Sequence, residues 1–338
     1  MIELLAPAEG ACVRLLPEDH LEYLRDPKPE WTSQTVENEF WTRFKLAEWT
    51  DEHPNPDYSF PLPVTFRFLP ETDGTVVLES GDTVRRIPAH RGEAAAYNLI
   101  PGAGYRWHVE TDGGCSGCAS FTTEAVPPRL LWIPGMSNAR DLGGYPAGNG
   151  RRTRFGRIFR TSEADGYFNV TDEGRRVLAE LGIRTDLDLR RDREVRGPVL
   201  DPEQVRWVHI PWEPYCAVFG PEMTAQVRSA FEVLADESAY PILCHCVAGM
   251  DRTGVWALLL EGILGVAEET ALVDYELSSF SIFASRSRKS FYFAEFYDKL
   301  MTYGADFSRA CAAFLRSCGV TEETQEKIRA LLTEPVED

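Results

Sequence analysis

The sequence lacks an apolar run of the roughly 18 residues that a membrane-spanning helix needs. It also lacks an excess of basic residues, because 35 Lys and Arg stand against 53 Asp and Glu, giving a formal net charge of -18. Nucleic acids and anionic membrane surfaces repel so acidic a chain, and we expect neither as its main partner. An anionic ligand would have to be held by local positive groups.

The cysteines show no ordered pattern. The eight of them lack the spacing of a disulfide framework. Cys115 and Cys118 form a Cys-x-x-Cys pair without a second pair or histidines at ligand spacing, so they cannot complete a four-coordinate metal site. We expect a turn there, and neither a metal nor another cofactor.

A secretion signal is also missing from the start of the chain. Residues 1–5 have neither a basic segment nor a continuous apolar segment. This favours a cytoplasmic protein, with a removed signal as the alternative.

The 338 residues suffice for two domains with separate cores. Residues 64–68 and 105–110 alternate between apolar and polar side chains, and turn signals separate the short strands. We predict an all-β sandwich over 1–125. Residues 126–338 alternate helices with strands, which predicts an α/β domain whose central sheet is flanked by helices.

An aromatic-rich insertion interrupts the first domain before Pro61. It carries Trp31, Trp41 and Trp49, too many aromatic residues for a disordered linker. The segment could form a surface for a ligand such as a carbohydrate. We favour packing of the insertion against the sandwich or against the second domain.

The residues with the clearest chemistry lie between a short apolar strand and a long apolar helix. Cys246 follows that strand, and a glycine-containing loop leads from it into the helix. Backbone N–H groups of such a loop converge on an anion, and the helix dipole adds positive potential. That potential favours the thiolate form of Cys246. Arg252 has the planar fork of donors that grips two phosphate oxygens.

The motif His-Cys-x5-Arg-Thr-Gly over 245–254 resembles the phosphate-binding loop of the cysteine-dependent protein tyrosine phosphatases. Its form HCxxGxDRTG resembles in particular an atypical bacterial group, some of whose members also act on phosphoinositides. Residues 138–145, residues 156–162 and the segment Asp188-Leu189-Arg190 are similar to further motifs of that group. The first domain resembles, more loosely, fibronectin type III or immunoglobulin-like modules.

The resemblance implies hydrolysis of a phosphate monoester through a phosphocysteine. Cys246 is then the nucleophile, Arg252 holds the phosphoryl oxygens, Thr253 donates to the sulfur, and His245 keeps the shape of the loop. The backbone of the loop would surround the phosphate at Val247, Ala248, Gly249 and Met250. A thiolate enzyme needs a reduced cysteine, which again favours the cytoplasm.

The proton donor to the leaving group stays open. Asp251 ranks first because it lies in the loop, Asp188 second and Glu213 third. Asp251 could instead form an ion pair with Arg252 or with an arginine of the basic aromatic stretch 281–297. That stretch is either a lid over the site or a solvated face over an ordinary core.

Two arginines near the start of the second domain could bind the ligand or could stabilise the loop. Arg140 and Arg160 either contact the ligand or tether the loop, and we expect Asp141 to be a tether. Arg190 is a further candidate for substrate binding.

One residue departs from the resembled group. Met250 stands where that group usually has Lys, so a cation suited to a second phosphate is missing, although Arg190, Arg191 or Arg193 could compensate. We predict a phosphatase acting on phosphotyrosine or with dual specificity, on phosphorylated proteins or small phosphomonoesters. The alternatives are a phosphoinositide or inositol-phosphate phosphatase and a phosphate-binding adaptor without activity.

Overall fold

Strands dominate the N-terminal part of the chain, and a mixed arrangement of strands and helices follows. The computed structural model describes residues 2–27, 39–45, 50 and 53–336. It divides into two units: residues 1–22 with 61–131, and residues 23–60 with 132–338.

Two sheets make up the first unit, with the orders β1-β3-β6 and β2-β9-β7-β4-β5, and β8 pairs with β7. The strands of these sheets are β1 (Glu3–Ala6), β2 (Ala11–Val13), β3 (Val64–Leu69), β4 (Gly74–Ser80), β5 (Thr83–Ala89), β6 (Glu93–Ala96), β7 (Gly104–Thr111), β8 (Gly114–Cys115) and β9 (Ala119–Thr123), and the short strand β10 (Arg129–Leu130) follows them in the chain.

Alternation along β3 explains how this unit forms its core. Val64, Phe66 and Phe68 are buried while the residues between them are exposed. Because side chains alternate across a strand, one face of β3 points inward. Phe66 contacts Trp107 from the other sheet at 5.0 Å between ring centroids. The predicted β-rich N-terminal region is confirmed, and its assignment to a sandwich stays a prediction.

The second unit has the strand order β11-β13-β16-β14-β15, with β13, β16, β14 and β15 parallel. Its further strands are β11 (Arg140–Asp141), β12 (Arg151–Thr153), β13 (Ile158–Thr161), β14 (Thr185–Asp188), β15 (Arg206–His209), β16 (Ile242–His245) and β17 (Thr333–Pro335). The helices of the chain are α1 (Glu18–Arg25), α2 (Glu39–Thr42), α3 (Asp172–Glu180), α4 (Thr224–Leu234), α5 (Arg252–Leu264), α6 (Glu268–Leu277), α7 (Phe291–Met301), α8 (Phe307–Ser317) and α9 (Glu322–Leu332).

The parallel strands end at one edge of this sheet. Thr161 pairs in register with His245, and Asp188 pairs with both His245 and His209. The residues that follow these strands therefore meet at the same edge, which is where α/β proteins place their sites. Helix α5 follows β16 and is buried along nearly its whole length. The predicted α/β arrangement is confirmed.

The described residues of the aromatic insertion pack within the second unit, whereas the sequence predicted the insertion within 1–125. Tyr23, Phe40, Trp41 and Phe44 form one apolar cluster with residues of α6 and with Phe280. Trp41 is fully buried there, because its ring finds apolar partners more than 230 residues later in the chain. Trp31 and Trp49 lie outside the described residues.

None of the helices in the described ranges is both long and apolar enough to span a membrane.

Replacing Trp41 by Ala should lower the free energy of unfolding by about 3–5 kcal/mol, because the buried ring leaves a cavity. Urea unfolding followed by circular dichroism measures this change. Val84, which is 59% exposed in the first unit, supplies the control Val84→Ala, for which a change within about 0.5 kcal/mol is expected. A Trp41→Ala chain as stable as this control would show that the cluster does not stabilise the second unit.

Candidate active site

Cys246 lies where β16 ends, at the sheet edge described above. The cysteine loop, residues 246–251, connects β16 to α5, and Cys246 is only 2% exposed. Gly249 has a φ of +67°, and a Cβ there would come within 2.2 Å of the Thr161 carbonyl oxygen. Glycine is therefore required at this position both for the left-handed backbone and for the close approach of β13.

The carbonyl groups of the cysteine loop point toward donors outside it. Val247 O accepts from the Glu163 N–H at 2.9 Å. Asn138 Nδ2 donates to Ala248 O at 3.2 Å and to Gly249 O at 3.1 Å, and Arg160 Nη2 donates to Gly249 O at 2.8 Å. In a planar trans peptide the N–H points opposite to the carbonyl. The N–H groups after these carbonyls therefore face the other side of the loop, where they can bind an anion.

Asp274 on α6 holds the donors that shape the loop. Its carboxylate accepts from Arg140 Nε at 2.8 Å, Arg160 Nη1 at 2.6 Å and the Tyr145 hydroxyl at 2.8 Å. Burial raises the pKa of Asp274, but the effect of the two guanidinium groups is larger and brings the pKa down to about 2. Arg140 also donates to Asn138 Oδ1 at 2.7 Å, so both Asn138 and Arg160 are held by this buried cluster.

Arg140 thus supports the loop from outside instead of pointing toward a ligand. It is 1% exposed, and its nitrogens bind Asp274, Asn138 and Ser278. Arg160 tethers Gly249 O. Asp141 accepts from the backbone N–H groups of Gly143 at 2.9 Å and Gly156 at 2.7 Å, so it tethers the chain through backbone groups, whereas the sequence predicted an arginine as its partner.

Asp188 and Arg190 form a second buried group at the end of β14. Arg190 donates to Asp188 at 2.8 Å, Glu163 at 3.1 Å and Asp165 at 2.5 Å, and its side chain is fully buried. Burial raises the pKa of Asp188, but the charges of His245 and Arg190 bring it down to about 2. Both side chains therefore bind protein partners, and Asp188 stays ionised near neutral pH.

His245 is a buried cation next to Cys246. Its Nε2 lies 2.9 Å from Asp186 Oδ1, and its Nδ1 lies 4.0 Å from Asp188 Oδ1. Burial lowers the pKa of His245, but the two aspartates outweigh burial and raise it to about 9. The imidazolium fixes the end of β16, from which Cys246 extends.

Arg252 is held by Glu194, a residue that the sequence analysis missed. Arg252 Nη1 donates to Glu194, which also accepts from the Arg191 N–H at 2.9 Å. Arg191 in turn binds Glu213 with two hydrogen bonds of 2.7 and 2.5 Å. Glu213, the third candidate acid, is thus ion-paired, and Arg191 holds its pKa below the usual value. The charged loop after β14 was the one sequence cue to Glu194.

Asp251 pairs with Arg286, an arginine of the basic aromatic stretch. Arg286 donates to the two carboxylate oxygens at 2.6 and 2.9 Å, and the Tyr215 hydroxyl donates to the same carboxylate. Burial raises the pKa of Asp251, but Arg286 has the greater effect and lowers it. Tyr215 also contacts the Tyr275 hydroxyl at 2.8 Å, and neither tyrosine was foreseen from the sequence.

Met250 in the loop and Thr253 at the start of α5 are both buried. Met250 is fully buried, so its side chain presents no group to a ligand. Thr253 is also fully buried, and its hydroxyl has no hydrogen-bond partner within the described ranges. A hydroxyl of this kind can donate to a nearby anion such as a thiolate.

Residues 131–334, well over half of the chain, match the model of a family described as the tyrosine phosphatase family. A Cupriavidus necator protein classed by its name among tyrosine-protein phosphatases is 31% identical, over 41% of this chain and 59% of its own length. The triple specificity protein phosphatase PtpB of Mycobacterium tuberculosis is 30% identical, over 47% of this chain and 72% of its own. A tyrosine-protein phosphatase of Nostoc commune is 29% identical, over 32% of this chain and 45% of its own length. The matched part of the chain thus spans between 45% and 72% of the length of these relatives.

The pH dependence of stability should reveal the buried His245 cation. Because its pKa is about 9 in the folded chain and about 6.5 when unfolded, its stabilisation is complete below pH 6.5 and is lost as the pH rises through 9. Relative to His245→Asn, we expect the wild-type chain to lose on the order of 3 kcal/mol over this window, because Lys45, whose pKa burial lowers to about 7, changes stability in the opposite direction in both chains. The same loss relative to His245→Asn should persist in Cys246→Ser. Parallel profiles for wild type and His245→Asn, measured by urea unfolding from pH 6 to 10, would contradict this assignment.

Proposed function

The chain belongs to the tyrosine phosphatase family, and we propose that it hydrolyses phosphate monoesters through a phosphocysteine formed at Cys246. Phosphotyrosine is the proposed leading substrate, with dual specificity as an extension. The observation that carries this proposal is the orientation of the cysteine loop. Its carbonyls bind Asn138, Arg160 and the Glu163 N–H, and its N–H groups are thereby left for a phosphoryl group.

The proposed reaction has two steps. In the first, the Cys246 thiolate attacks phosphorus, the bond to the leaving oxygen breaks, and that oxygen takes up a proton. In the second, water attacks phosphorus, the S–P bond breaks, and inorganic phosphate leaves. Arg252 and the loop N–H groups stabilise the equatorial oxygens in both steps. Thr253 donates to the sulfur and stabilises the thiolate as nucleophile and leaving group.

Glu194 is the proposed positioning residue for Arg252. It occupies Nη1 of the guanidinium, which leaves the edge formed by Nε and Nη2 for two phosphoryl oxygens. A bidentate contact needs this edge to be oriented before the substrate arrives. The ion pair of Arg191 with Glu213 and the hydrogen bond from the Arg191 backbone N–H to Glu194 supply that orientation.

Asp251 remains the proposed acid and base of the reaction. Asp188 is fully buried with a pKa of about 2, which argues for an anchoring role, and Glu213 is bound to Arg191. The Arg286 contact keeps Asp251 ionised, a state suited to removing a proton from water in the second step. Protonation of the leaving oxygen in the first step requires Asp251 to gain a proton, which separation from Arg286 would favour.

A singly phosphorylated substrate fits the distribution of cations. Met250 is buried and uncharged, and Arg190, proposed from sequence as a compensating cation, is occupied by three carboxylates. Arg191 is bound to Glu213. The relative from M. tuberculosis is named for triple specificity, so phosphoserine and phosphoinositide substrates belong in the test.

For the first unit we propose a sandwich of the fibronectin type III or immunoglobulin-like kind. Its two sheets share one apolar core, to which Phe66, Trp107 and Phe121 contribute, and this supports the proposal. The presence of Cys246, Arg252 and Thr253 argues against an inactive phosphate-binding adaptor.

Cys246→Ser should lose phosphatase activity by more than about a thousandfold, because the hydroxyl is a far weaker nucleophile. The assay is phosphate release from phosphotyrosine and phosphoserine peptides, phosphoinositides and soluble inositol phosphates. The matched control is Cys12→Ser, which replaces an exposed thiol of the first unit and should keep full activity. Retained turnover in Cys246→Ser would contradict the phosphocysteine route, and equal wild-type turnover of phosphotyrosine and inositol phosphates would contradict the substrate preference.

Leaving-group dependence should identify the acid. We expect Asp251→Asn to lower kcat for an alkyl phosphate about a hundredfold more than for p-nitrophenyl phosphate, because a poor leaving group needs the proton most. Asp188→Asn should lower both rates by a common factor through disturbed packing. Glu213→Gln tests the third candidate acid in the same way and should also show no dependence on the leaving group. A common factor for Asp251→Asn, with a differential loss in one of the other variants, would assign the proton to that residue.

A further inference from the structure

A segment of the aromatic insertion lies beside the chain that follows α6, and we call this segment, residues 55–59, the strap. The Asn55 N–H donates to Ile282 O at 3.0 Å, and the Tyr58 N–H donates to Phe280 O at 2.9 Å. Asn55 Nδ2 also donates to Ile282 O, at 3.0 Å. The strap belongs to the second unit, yet it lies outside the range of the chain that matches the family model.

Ser59 ends the strap and connects it to Asn138. The Asn138 N–H donates to Ser59 Oγ at 2.9 Å. The Ser59 hydroxyl and N–H both donate to Asp57 Oδ1, at 2.6 and 2.9 Å. Because the hydroxyl hydrogen is directed at Asp57, the oxygen lone pairs are left to accept from Asn138. Ser59 is 3% exposed and Asn138 is 1% exposed, so an N–H group that lost this acceptor would be unpaired in the interior, which is costly.

Asn138 carries the connection on to the cysteine loop. Its Nδ2 donates to Ala248 O at 3.2 Å and to Gly249 O at 3.1 Å, and its Oδ1 accepts from Arg140 Nη1 at 2.7 Å. Its φ is +56°, a left-handed conformation that a residue with a side chain keeps only where its surroundings hold it. Ser59 thus holds the backbone of the residue whose side chain directs two carbonyls of the loop.

The strap also contacts the segment that binds the end of the cysteine loop. Arg286 donates to both carboxylate oxygens of Asp251, at 2.6 and 2.9 Å. Ser279 Oγ accepts from the Arg286 N–H at 2.8 Å and donates to Arg286 O at 2.9 Å. The strap is bonded to Phe280 and Ile282, which lie between Ser279 and Arg286 in the chain. Its contacts therefore lead to the middle of the loop and to the end of the loop.

Building on the proposed function, we propose that Ser59 is a positioning residue for phosphoryl transfer, which acts through Asn138 on the carbonyls of the cysteine loop. The N–H groups on the opposite side of these peptides take the positions that the phosphoryl oxygens require. The rate of the reaction then depends on a residue of the aromatic insertion, outside the range that matches the family model.

The test compares Ser59→Ala with the wild type in the full chain, with p-nitrophenyl phosphate as substrate. Removing the hydroxyl disturbs the alignment of the loop N–H groups, which matters most where charge accumulates in the transition state. We therefore expect kcat to fall about tenfold and KM to change less than about threefold. Ser238→Ala is the matched control, because the Ser238 hydroxyl and N–H bind Asp236 Oδ1 at 2.7 and 3.0 Å in the same kind of turn. It should keep the wild-type kinetics.

Orthovanadate separates a positioning role from partial unfolding. It forms five-coordinate adducts that resemble the transition state of phosphoryl transfer, so its affinity depends on the alignment of the loop N–H groups. Ser59→Ala should weaken inhibition by orthovanadate about tenfold and inhibition by inorganic phosphate less than about threefold. A partly unfolded sample would lower the apparent kcat and leave both inhibition constants unchanged.

Asn138→Gly tests whether Ser59 acts through Asn138. Glycine keeps the left-handed backbone and removes the amide that contacts the loop. In this background Ser59→Ala should lower kcat less than about twofold, because the contacts that it disturbs are already absent. Ser59→Cys replaces Ser59→Ala if that chain does not fold. Since sulfur is a weak acceptor, we expect Ser59→Cys to lower kcat about threefold.

The outcomes separate this inference from the proposed function. Wild-type kinetics in Ser59→Ala, an equal loss in Ser238→Ala, unchanged inhibition by orthovanadate or a tenfold loss in the Asn138→Gly background would each overturn the role of Ser59. The phosphatase would remain intact in all four cases. Absence of turnover in the wild type, or full turnover in Cys246→Ser, would instead refute the phosphocysteine reaction. Binding of orthovanadate, measured by titration calorimetry, would then still test Ser59.

Discussion

The ion cluster around Asp274 is the interaction on which the candidate site depends. A carboxylate and two guanidinium groups are buried together, and removing one partner from such a cluster is strongly destabilising. Through Arg160 and Asn138 the cluster determines where the Ala248 and Gly249 carbonyls point. The N–H groups of the cysteine loop take the opposite direction as a consequence. A charge on α6, outside the loop, thus decides whether the loop can bind an anion.

The charged residues around the site pair with one another. Arg252 binds Glu194, Arg191 binds Glu213, Arg190 binds Asp188, and Arg286 binds Asp251. This pairing reconciles an acidic chain with a proposed anionic substrate, because the carboxylates are neutralised locally and hold guanidinium groups in position. Arg252 is the arginine with an edge proposed for phosphate. Arg190, Arg191 and Arg286 are bound to carboxylates around it.

Local sequence patterns predicted the strands and helices better than they predicted which side chains contact one another. The apolar strand, glycine-containing loop and apolar helix around Cys246 were recognised because their residues are consecutive and their periodicities differ. The β-rich first unit followed from short-range alternation in the same way. The packing of the aromatic insertion was harder to predict, because the apolar side chains that contact Trp41 lie on α6 and at Phe280. Tyr215 had no local signal that distinguished it from an ordinary surface residue, and Glu194 had only its place in the charged loop after β14.

The sequence by itself determined the family resemblance from which the chemistry is proposed, because Cys246, Arg252 and Thr253 lie within one short motif whose spacing carries the resemblance. The need for glycine at position 249 also depends on the tertiary structure, because a Cβ there would come within 2.2 Å of the Thr161 carbonyl oxygen on β13. The tertiary structure decided which charges face a ligand. Arg140 and Arg190 look like substrate contacts in the sequence, yet carboxylates bind them, one of them 134 residues away. Pairing of buried charges depends on distances in space, and a sequence pattern does not contain those distances.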